Sequence, residues 1–411
     1  MISKDWMRLG LLSLLLSLGL ALSSQSLFDN PTVFTEDNGL LDNYITAIKL
    51  DKHNFAWIGS TKGLARFDGN TFKYFLHDPD NPNSLANNQA LSLYQDHKDR
   101  LWVGTYSGLC LYRPATEDFK NYRNSEIAQE SLLPNSRVNA IVEDRKQQLW
   151  IGLNEAGLAK YDEKRDTFLG YNFRINNTNP KIDASRVNSI LHVAPHAEND
   201  SLLWLATLSG LVLFNQFTEQ YQWFYFEMED GNDQFLANSV KFVLPYGKDK
   251  LYLATWHGVI IFDIPNKVFR KTTIPNEPKS VRMSERTVFS LLQVPDGRLG
   301  ISYSLGFAFY NPTSEQFEDV YYNKVKDGKI YGADFIDPQG RVWARSDHGL
   351  YIFDPLTNQF NSHYYPAKNE NYSYNSRALI ESKDKSKLYV AADRSEGLQI
   401  FDRETQTWEL I

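Results

Sequence analysis

The sequence predicts an all-β fold built from repeated four-stranded antiparallel units. A glycine recurs eight times, at successive steps of 45, 49, 53, 48, 48, 43 and 48 residues. In seven of the eight copies a tryptophan or tyrosine precedes the glycine by six to eight positions. A period of about 48 residues that runs to the end of the chain indicates stacked supersecondary units. The repeated glycines are Gly63, Gly108, Gly157, Gly210, Gly258, Gly306, Gly349 and Gly397.

The first unit shows the four expected strands. Residues 44–50 and 56–59 are apolar-rich runs separated by a polar turn. The third run, 63–68, begins at the repeated glycine, and a Gly-Asn turn signal separates it from the fourth run, 72–75. Short β-rich runs separated by Gly, Asn and Asp are typical of antiparallel strands joined by tight turns. The repeated glycine is interpreted as a residue that needs a positive φ or a close backbone approach.

Repeats of this length with four strands each predict a β-propeller of seven or eight blades. The third strand closes on an aromatic residue in every unit, and another aromatic recurs in the outer strand. Both faces of a blade pack on neighbouring blades, so we expect these aromatics to be core residues. Residues 32–35 resemble an outer strand without its own blade, which would close the ring on the last blade. Eight units fit either eight blades or seven blades plus the start of a second ring.

The composition excludes some classes of partner. The 411-residue chain has a net charge of −7 and a pI of about 5.7, which argues against a nucleic-acid or anionic-membrane surface.

Cys110 is the single cysteine, so no disulfide forms within the chain, and its place in a third strand predicts a buried thiol. We expect no cofactor.

The N-terminus has the pattern of a targeting segment. Lys4 and Arg8 precede an apolar run over residues 9–22, and small residues follow near Ser24. A run this short is typical of a cleaved signal peptide, with an uncleaved signal anchor as the alternative. We therefore predict a signal segment at 1–24, a propeller domain at 25–411 and a periplasmic location.

The repeats resemble the two-component regulator propeller family. Residues 99–112 match its pattern of Leu-Trp-Ile-Gly-Thr followed by Gly-Leu and an aromatic, residues 77–85 resemble its interblade loop, and residues 34–40 resemble its N-terminal start. The resemblance implies an extracytoplasmic sensor region of a bacterial signal-transduction system, with another propeller or a membrane-bound signalling protein as partner, and it leaves a homodimer open. Such sensors usually carry an output domain, and we find none in this sequence.

Arginines at the starts of the inner strands point to a binding site. If the strands run outwards in chain order, these arginines surround the mouth of the central channel. Guanidinium groups there would suit a carboxylate, sulfate or uronate ligand, whereas pairing with local acids such as Glu143 or Glu285 is the alternative. The arginines are Arg137, Arg186, Arg286 and Arg377.

The turns before the repeated glycines add aromatic and polar residues to the same face. Trp256 and His257 are distinctive because an aromatic in a turn is not needed for core packing, and exposed tryptophan next to polar donors suits sugar binding. The alternative is a tryptophan folded over its own turn. Tyr106 and His348 are further candidates on this face.

Catalytic and metal signatures are missing from the sequence. There is no nucleophile elbow, phosphate-binding loop or His-Glu-x-x-His motif. His192 and His196 have a helical metal-site spacing, but Pro195 lies between them. Three functions remain: a sensing module that binds a small molecule or oligosaccharide, a protein-interaction scaffold, and a propeller lyase or hydrolase that would use residues such as His257 and Glu155.

Overall fold

The computed structural model describes most of the repeat region. The described residues are 33–34, 39–42, 45–53, 55–68, 71–122, 136–174, 184–227, 234–272, 287–303, 306–322, 330–336, 341–346, 349–354, 359–364, 378–391 and 398–408. The predicted signal segment at 1–24 lies outside these ranges.

Strands make up nearly all of the regular structure. The strands of the first half are β1 (Val33–Phe34), β2 (Ile45–Leu50), β3 (Ala56–Ser60), β4 (Leu64–Phe67), β5 (Phe72–Phe75), β6 (Ala90–Gln95), β7 (Leu101–Thr105), β8 (Gly108–Arg113), β9 (Asp118–Tyr122), β10 (Val138–Glu143), β11 (Leu149–Leu153), β12 (Leu158–Asp162), β13 (Thr167–Tyr171), β14 (Ile190–Pro195), β15 (Leu202–Thr207), β16 (Gly210–Asn215) and β17 (Tyr221–Phe224). The strands of the second half are β18 (Val240–Tyr246), β19 (Lys250–Thr255), β20 (Gly258–Asp263), β21 (Val268–Lys271), β22 (Val288–Gln293), β23 (Leu299–Tyr303), β24 (Gly306–Asn311), β25 (Gln316–Tyr322), β26 (Ile330–Ile336), β27 (Val342–Ser346), β28 (Gly349–Asp354), β29 (Gln359–Tyr364), β30 (Ala378–Glu381), β31 (Lys387–Ala391), β32 (Leu398–Asp402) and β33 (Thr407–Trp408). A short 3-10 helix (Ala184–Asn188) and a short helix α1 (Gln234–Asn238) precede β14 and β18.

The sheets follow the repeats one by one. Seven four-stranded antiparallel sheets, blades 1 to 7, consist of β2–β5, β6–β9, β10–β13, β14–β17, β18–β21, β22–β25 and β26–β29. The eighth repeat supplies a five-stranded sheet, here called the closing sheet, from β30–β33 together with β1. The first strand of each sheet contacts the first strands of both neighbours, including β30 with β2. The predicted propeller is confirmed, and all eight repeats lie in one ring.

Both ends of the described chain close this ring. β33 pairs with one half of β32 through Phe401 and Trp408, whereas β1 pairs with the other half through Phe34 and Leu398. The outer strand of the closing sheet is therefore split between an early and a late segment, as the isolated strand predicted. A single apolar cluster that includes Ile58 also crosses from blade 1 to the closing sheet.

Aromatic side chains form the core, as predicted. Trp102 of blade 2 is fully buried and packs edge-on against Tyr161 of blade 3, with 5.1 Å between the ring centroids. The same contact between successive blades joins Trp57 to Tyr112 at 4.6 Å. In the strand register the recurring third-strand and outer-strand positions are partners, as Phe67–Phe72, Tyr112–Phe119, Tyr161–Phe168, Phe214–Tyr221, Phe262–Phe269, Tyr310–Phe317, Phe353–Phe360 and Phe401–Trp408. Tyr221 departs from the prediction, because its side chain is 38% exposed.

An aspartate at the first turn of the early blades connects the backbone to the buried tryptophan. The carboxylate of Asp96 accepts hydrogen bonds from the backbone N–H groups of Lys98 at 3.0 Å and Arg100 at 2.9 Å. Its second oxygen accepts the indole N–H of Trp102 at 2.9 Å. Because the polar tip of the indole is satisfied in this way, the tryptophan can be fully buried without a desolvation penalty. Asp51 with Trp57 and Asp144 with Trp150 repeat the arrangement.

We expect the Asp96 carboxylate to make stability depend on acid pH. Burial acts to raise its pKa, but hydrogen bonds from Trp102 and Arg100 hold the net pKa below its ordinary value. A lowered pKa stabilises the fold above about pH 4, and this contribution is lost as the pH falls through the folded-state pKa. Urea titrations of wild type and Asp96→Asn should therefore differ at pH 7, and the difference should shrink progressively as the pH falls below about 4.

Asp99→Asn is the matched control for this prediction. Asp99 is an exposed acid in the same turn, with a φ of +61°, and asparagine tolerates that conformation. Its replacement should change the free energy of unfolding by less than about 0.5 kcal/mol. A gap between wild type and Asp96→Asn that is constant from pH 7 to pH 2 would contradict the assigned role.

Candidate ligand-binding face

Two kinds of connection share one face of the ring, here called the upper face. They are the loops that lead into each inner strand and the turns that precede the repeated glycines. The backbone N–H of Tyr106 donates to Gln89 O at 3.0 Å, just before β6. Likewise, the backbone N–H of Asn154 donates to Arg137 O at 2.9 Å, just before β10. The turns therefore lie beside the starts of the inner strands, as expected for strands that run outwards.

Threonine hydroxyl groups fix the shape of the upper-face turns. Thr105 Oγ1 donates to Gly108 O, and Thr255 Oγ1 donates to Gly258 O, both at 2.8 Å. Both glycines have a positive φ, of +117° and +109°, which reverses the chain within the turn. The residue after each threonine then projects outwards.

The projecting residues in blades 2 and 5 are aromatic. Tyr106 is 51% exposed and Trp256 is 41% exposed. In the described part of the chain, Trp256 is the one tryptophan among the exposed large hydrophobic residues. An accessible aromatic face above a structured turn can stack on a ligand ring.

Asparagines two residues before an inner strand anchor the upper-face loops. Asn188 Oδ1 accepts the N–H of Phe173 at 2.8 Å, and its Nδ2 donates to Phe173 O at 3.1 Å. Asn238 makes the same pair of bonds to Phe226, at 2.7 and 2.8 Å. Sequence reasoning did not select these positioning residues, although Asn recurs two residues before β2, β6, β14 and β18.

Two of the predicted arginines fall within the described residues. Arg137 is exposed directly before β10, and Arg186 is half-buried in the 3-10 helix before β14. Among the described residues, Arg137 forms no ion pair. Glu143, its predicted alternative partner, lies at the other end of β10 and binds His97, with 2.5 Å between Oε1 and Nδ1. Arg286, Arg377 and His348 lie outside the described residues, as does Glu285.

His257 differs from its neighbour Trp256. Its side chain is 1% exposed, and its Nε2 lies 2.6 Å from Lys271 Nζ, which donates the hydrogen bond. Its ring therefore supports the turn from below and is not presented at the surface. Glu155 is the carboxylate that a lyase or hydrolase would use together with His257. It belongs to the upper-face turn of blade 3, where its backbone N–H donates to Ser189 Oγ at 3.3 Å.

On the opposite, lower face the described charges are largely paired between blades. Glu315, at a left-handed turn position before β25, binds Lys250 and Arg270 of blade 5, each at 2.6 Å. Hydrogen bonds from Arg270 and Lys250 lower the pKa of Glu315 to about 2. An outer groove of about 300 Å³ is lined in part by Glu315. A second outer groove, of about 410 Å³, is lined in part by the ion pair of Lys120 and Asp166. These charges are already neutralised, so the lower face offers less for an anionic ligand than the upper face.

The described residues contain no group of three or more His, Cys, Asp or Glu side chains placed to hold a metal ion. No helix within the described ranges has the length and apolar character needed to cross a membrane. Cys110 is fully buried, as predicted, and accepts the N–H of Ala86 at 3.2 Å.

Comparison with known proteins identifies the repeats. The sequence model for the two component regulator propeller matches residues 84–107 and 132–155, which cover the inner strands of blades 2 and 3. Two segments of the chain therefore match the two component regulator propeller repeat. The resemblance seen in the sequence is thereby confirmed for these two segments.

The relatives of this chain are longer than the chain itself. A histidine kinase of Formosa agariphila is 26% identical over 231 residues, which span 55% of this chain and 16% of the kinase. The extracellular domain of a protein classed as a hybrid two-component system from B. thetaiotaomicron is 17% identical, with a TM-score of 0.53. That comparison covers 92% of this chain and 60% of the other. The chain thus spans less than two thirds of either relative.

The propeller fold of this chain is also shared with an enzyme. Virginiamycin B lyase from Staphylococcus aureus has a TM-score of 0.50 with 9% identity, over 93% of this chain and 99% of the lyase. At such identities the likeness concerns the fold, and function depends on the residues of the site.

Proposed function

We propose that this propeller is the extracytoplasmic sensing module of a bacterial two-component-type signalling system. The two segments that match the regulator propeller repeat, and the similarity to a histidine kinase and to the extracellular domain of a two-component system, support this function. The apolar segment over residues 9–22 supports export through a signal peptide, with residues 25–411 as the exported propeller domain. The output would come from a membrane-bound signalling partner or a second propeller.

The observation that carries the ligand proposal is an arc of exposed and half-buried residues on the upper face. Tyr106 lies in the turn of blade 2, Arg137 before the inner strand of blade 3, Arg186 before that of blade 4, and Trp256 in the turn of blade 5. Four successive blades thus supply, in order, an aromatic ring, two guanidinium groups and a second aromatic ring. Such an arc suits an extended ligand with rings at its ends and negative charge between them.

An acidic oligosaccharide has this chemistry. Sugar rings present apolar faces that stack on tyrosine and tryptophan, and uronate or sulfate groups accept bidentate hydrogen bonds from arginine. The net charge of −7 repels anions in general, so local arginines would be needed to bind one. We retain Arg286, Arg377 and His348 as proposed ligand residues on sequence grounds alone, whereas the burial of His257 gives it a supporting role.

Signalling requires that the ligand distinguish two arrangements of the sensor. A ligand shifts a conformational equilibrium only by its difference in affinity for the two states. A ligand that spans blades 2 to 5 would favour one packing of these blades, or one pairing with a partner, over another. The output domain would then detect the difference.

Thermal unfolding in the presence of neutral and acidic oligosaccharides tests the proposal. A ligand at about 100 times its dissociation constant stabilises the folded state by about 2.7 kcal/mol, which raises the melting temperature. We expect a saturable increase with an acidic oligosaccharide, loss of the increase in Arg137→Ala plus Arg186→Ala, and weakening in Trp256→Ala. Arg145→Ala is the control, since Arg145 is an exposed arginine at the lower-face turn of blade 3.

Other outcomes of the same experiment favour the competing functions. The absence of any shift across the panel would contradict the ligand-sensing proposal and favour the protein-interaction scaffold, to be pursued by capture of protein partners. Product formation in the same samples would instead favour a lyase or hydrolase, the activity class of one structural neighbour.

A further inference from the structure

The inner strands carry an irregularity at a constant position. In each of the first six blades the register with the second strand shifts after the first paired residue, so one residue is left without a partner. These bulge residues are half-buried, and they sit on strands that contact one another around the ring and so surround the central channel. They are Thr46, Leu91, Asn139, Leu191, Lys241 and Phe289.

Lys241 is the cation in this set. Its Nζ lies 5.0 Å from the ring centroid of Phe289, the bulge residue of the next blade. Desolvation by burial lowers the pKa of Lys241. Among the described residues no carboxylate pairs with it, so the aromatic ring compensates only part of its lost hydration.

His192 is a second polar group on the neighbouring inner strand. Its ring lies 4.0 Å from that of Phe242, the residue that follows Lys241. Its Nδ1 is buried and has no hydrogen-bond partner in the structure. Burial lowers the pKa of His192 to about 4, so the imidazole is neutral at pH 7 and keeps one N–H donor.

Of the three carboxylates on the inner strands, Glu143 and Glu381 are paired elsewhere, and the third, Asp334, belongs to β26 of blade 7. Glu143, at the end of β10, binds His97, and Glu381, at the end of β30, binds Arg403. Both acids occupy the lower end of their strands, whereas Lys241 lies near the upper end of β18. The described channel wall near Lys241 is therefore cationic and aromatic.

We propose that the channel wall of blades 4 to 6 binds a small organic carboxylate that carries an apolar or aromatic group. Lys241 Nζ would donate to the carboxylate, and His192 would supply a second donor through Nε2, because its Nδ1 is enclosed by protein. Phe289 and Phe242 would pack against the apolar group. A bound carboxylate compensates the half-buried ammonium group, which is the polar deficit at this site.

This site goes beyond the proposed sensing of an oligosaccharide on the upper face. It uses none of the arc residues and takes a ligand small enough to enter the channel. The two proposals can fail separately, because each has its own variants.

Titration calorimetry of the full chain with sodium benzoate, at constant ionic strength, tests the proposal. Benzoate combines a carboxylate with an aromatic ring, and benzamide is its neutral counterpart. We expect saturable benzoate binding, no binding of benzamide, and weakening of benzoate binding by about tenfold or more in Lys241→Met. Phe289→Leu should weaken binding as well, as a second variant that leaves the charge in place.

Lys49→Met is the matched control, because Lys49 is a half-buried lysine on the inner strand of blade 1. It should bind benzoate like wild type, as should Arg137→Ala plus Arg186→Ala, which would place the benzoate site away from the upper-face arc. Absence of saturable benzoate binding to wild type would overturn the proposal, and so would equal affinity in wild type and Lys241→Met.

Discussion

Trp102→Ala should reduce the free energy of unfolding by about 3–5 kcal/mol. The side chain is fully buried at the boundary between blades 2 and 3, where it contacts the rings of Tyr122, Tyr161 and Phe168. Its removal leaves a cavity lined by rings that are held by two different sheets and cannot close together. It also deprives the Asp96 carboxylate of the indole N–H that it accepts at 2.9 Å.

Urea unfolding followed by circular dichroism measures this loss, and Trp256→Ala is the matched control. Trp256 is 41% exposed and contributes to an upper-face turn, so its removal should cost less than about 1 kcal/mol. Equal destabilisation by the two substitutions would show that the recurring tryptophan is not the core residue that its burial indicates.

Gly157→Ala should be the more damaging of two substitutions at glycines with a positive φ. Gly157 has a φ of +78°, and a Cβ atom there would lie 2.1 Å from the backbone oxygen of Tyr171. The left-handed backbone costs about 1–2 kcal/mol for alanine. The overlap with a backbone oxygen that is fixed in β13 adds about 1–3 kcal/mol.

Gly247→Ala separates these two contributions. Gly247 has a φ of +59°, and nothing lies within 4 Å of its virtual Cβ. Only the backbone cost of about 1–2 kcal/mol should therefore be measured for it by urea unfolding. If Gly157→Ala cost no more than Gly247→Ala, the close approach of β12 and β13 at this turn would not matter to stability.

The local architecture could be predicted because each repeat restates the same pattern. The strands of the first unit were expected at 44–50, 56–59, 63–68 and 72–75, and they are found at Ile45–Leu50, Ala56–Ser60, Leu64–Phe67 and Phe72–Phe75. The positive φ expected at the repeated glycine is found at Gly63, Gly108, Gly157, Gly210 and Gly258. Turn chemistry and aromatic spacing are local properties, so one sequence reveals them.

The accessibility of the candidate site residues could not be predicted in the same way. Trp256 and His257 are adjacent in one turn, yet the first is 41% exposed and the second 1% exposed. The difference arises because His257 turns towards Lys271 of the outer strand, a contact made across the sheet. In the same way, the sequence carried no signal at Lys241 and only a metal-site spacing at His192, whereas the ring places the two residues on neighbouring inner strands.

By itself the sequence determined the strand order, the turn glycines, the aromatic core and the resemblance to two-component regulator propellers. All of these depend on residue spacing and turn chemistry within a single repeat. Only the tertiary structure decided how the ring closes, with β1 and β33 sharing the edge of β32. It also decided which polar groups face solvent, a neighbouring blade or the channel. Those outcomes depend on contacts between repeats, and a side chain's neighbours in another blade are fixed only when the whole ring has formed.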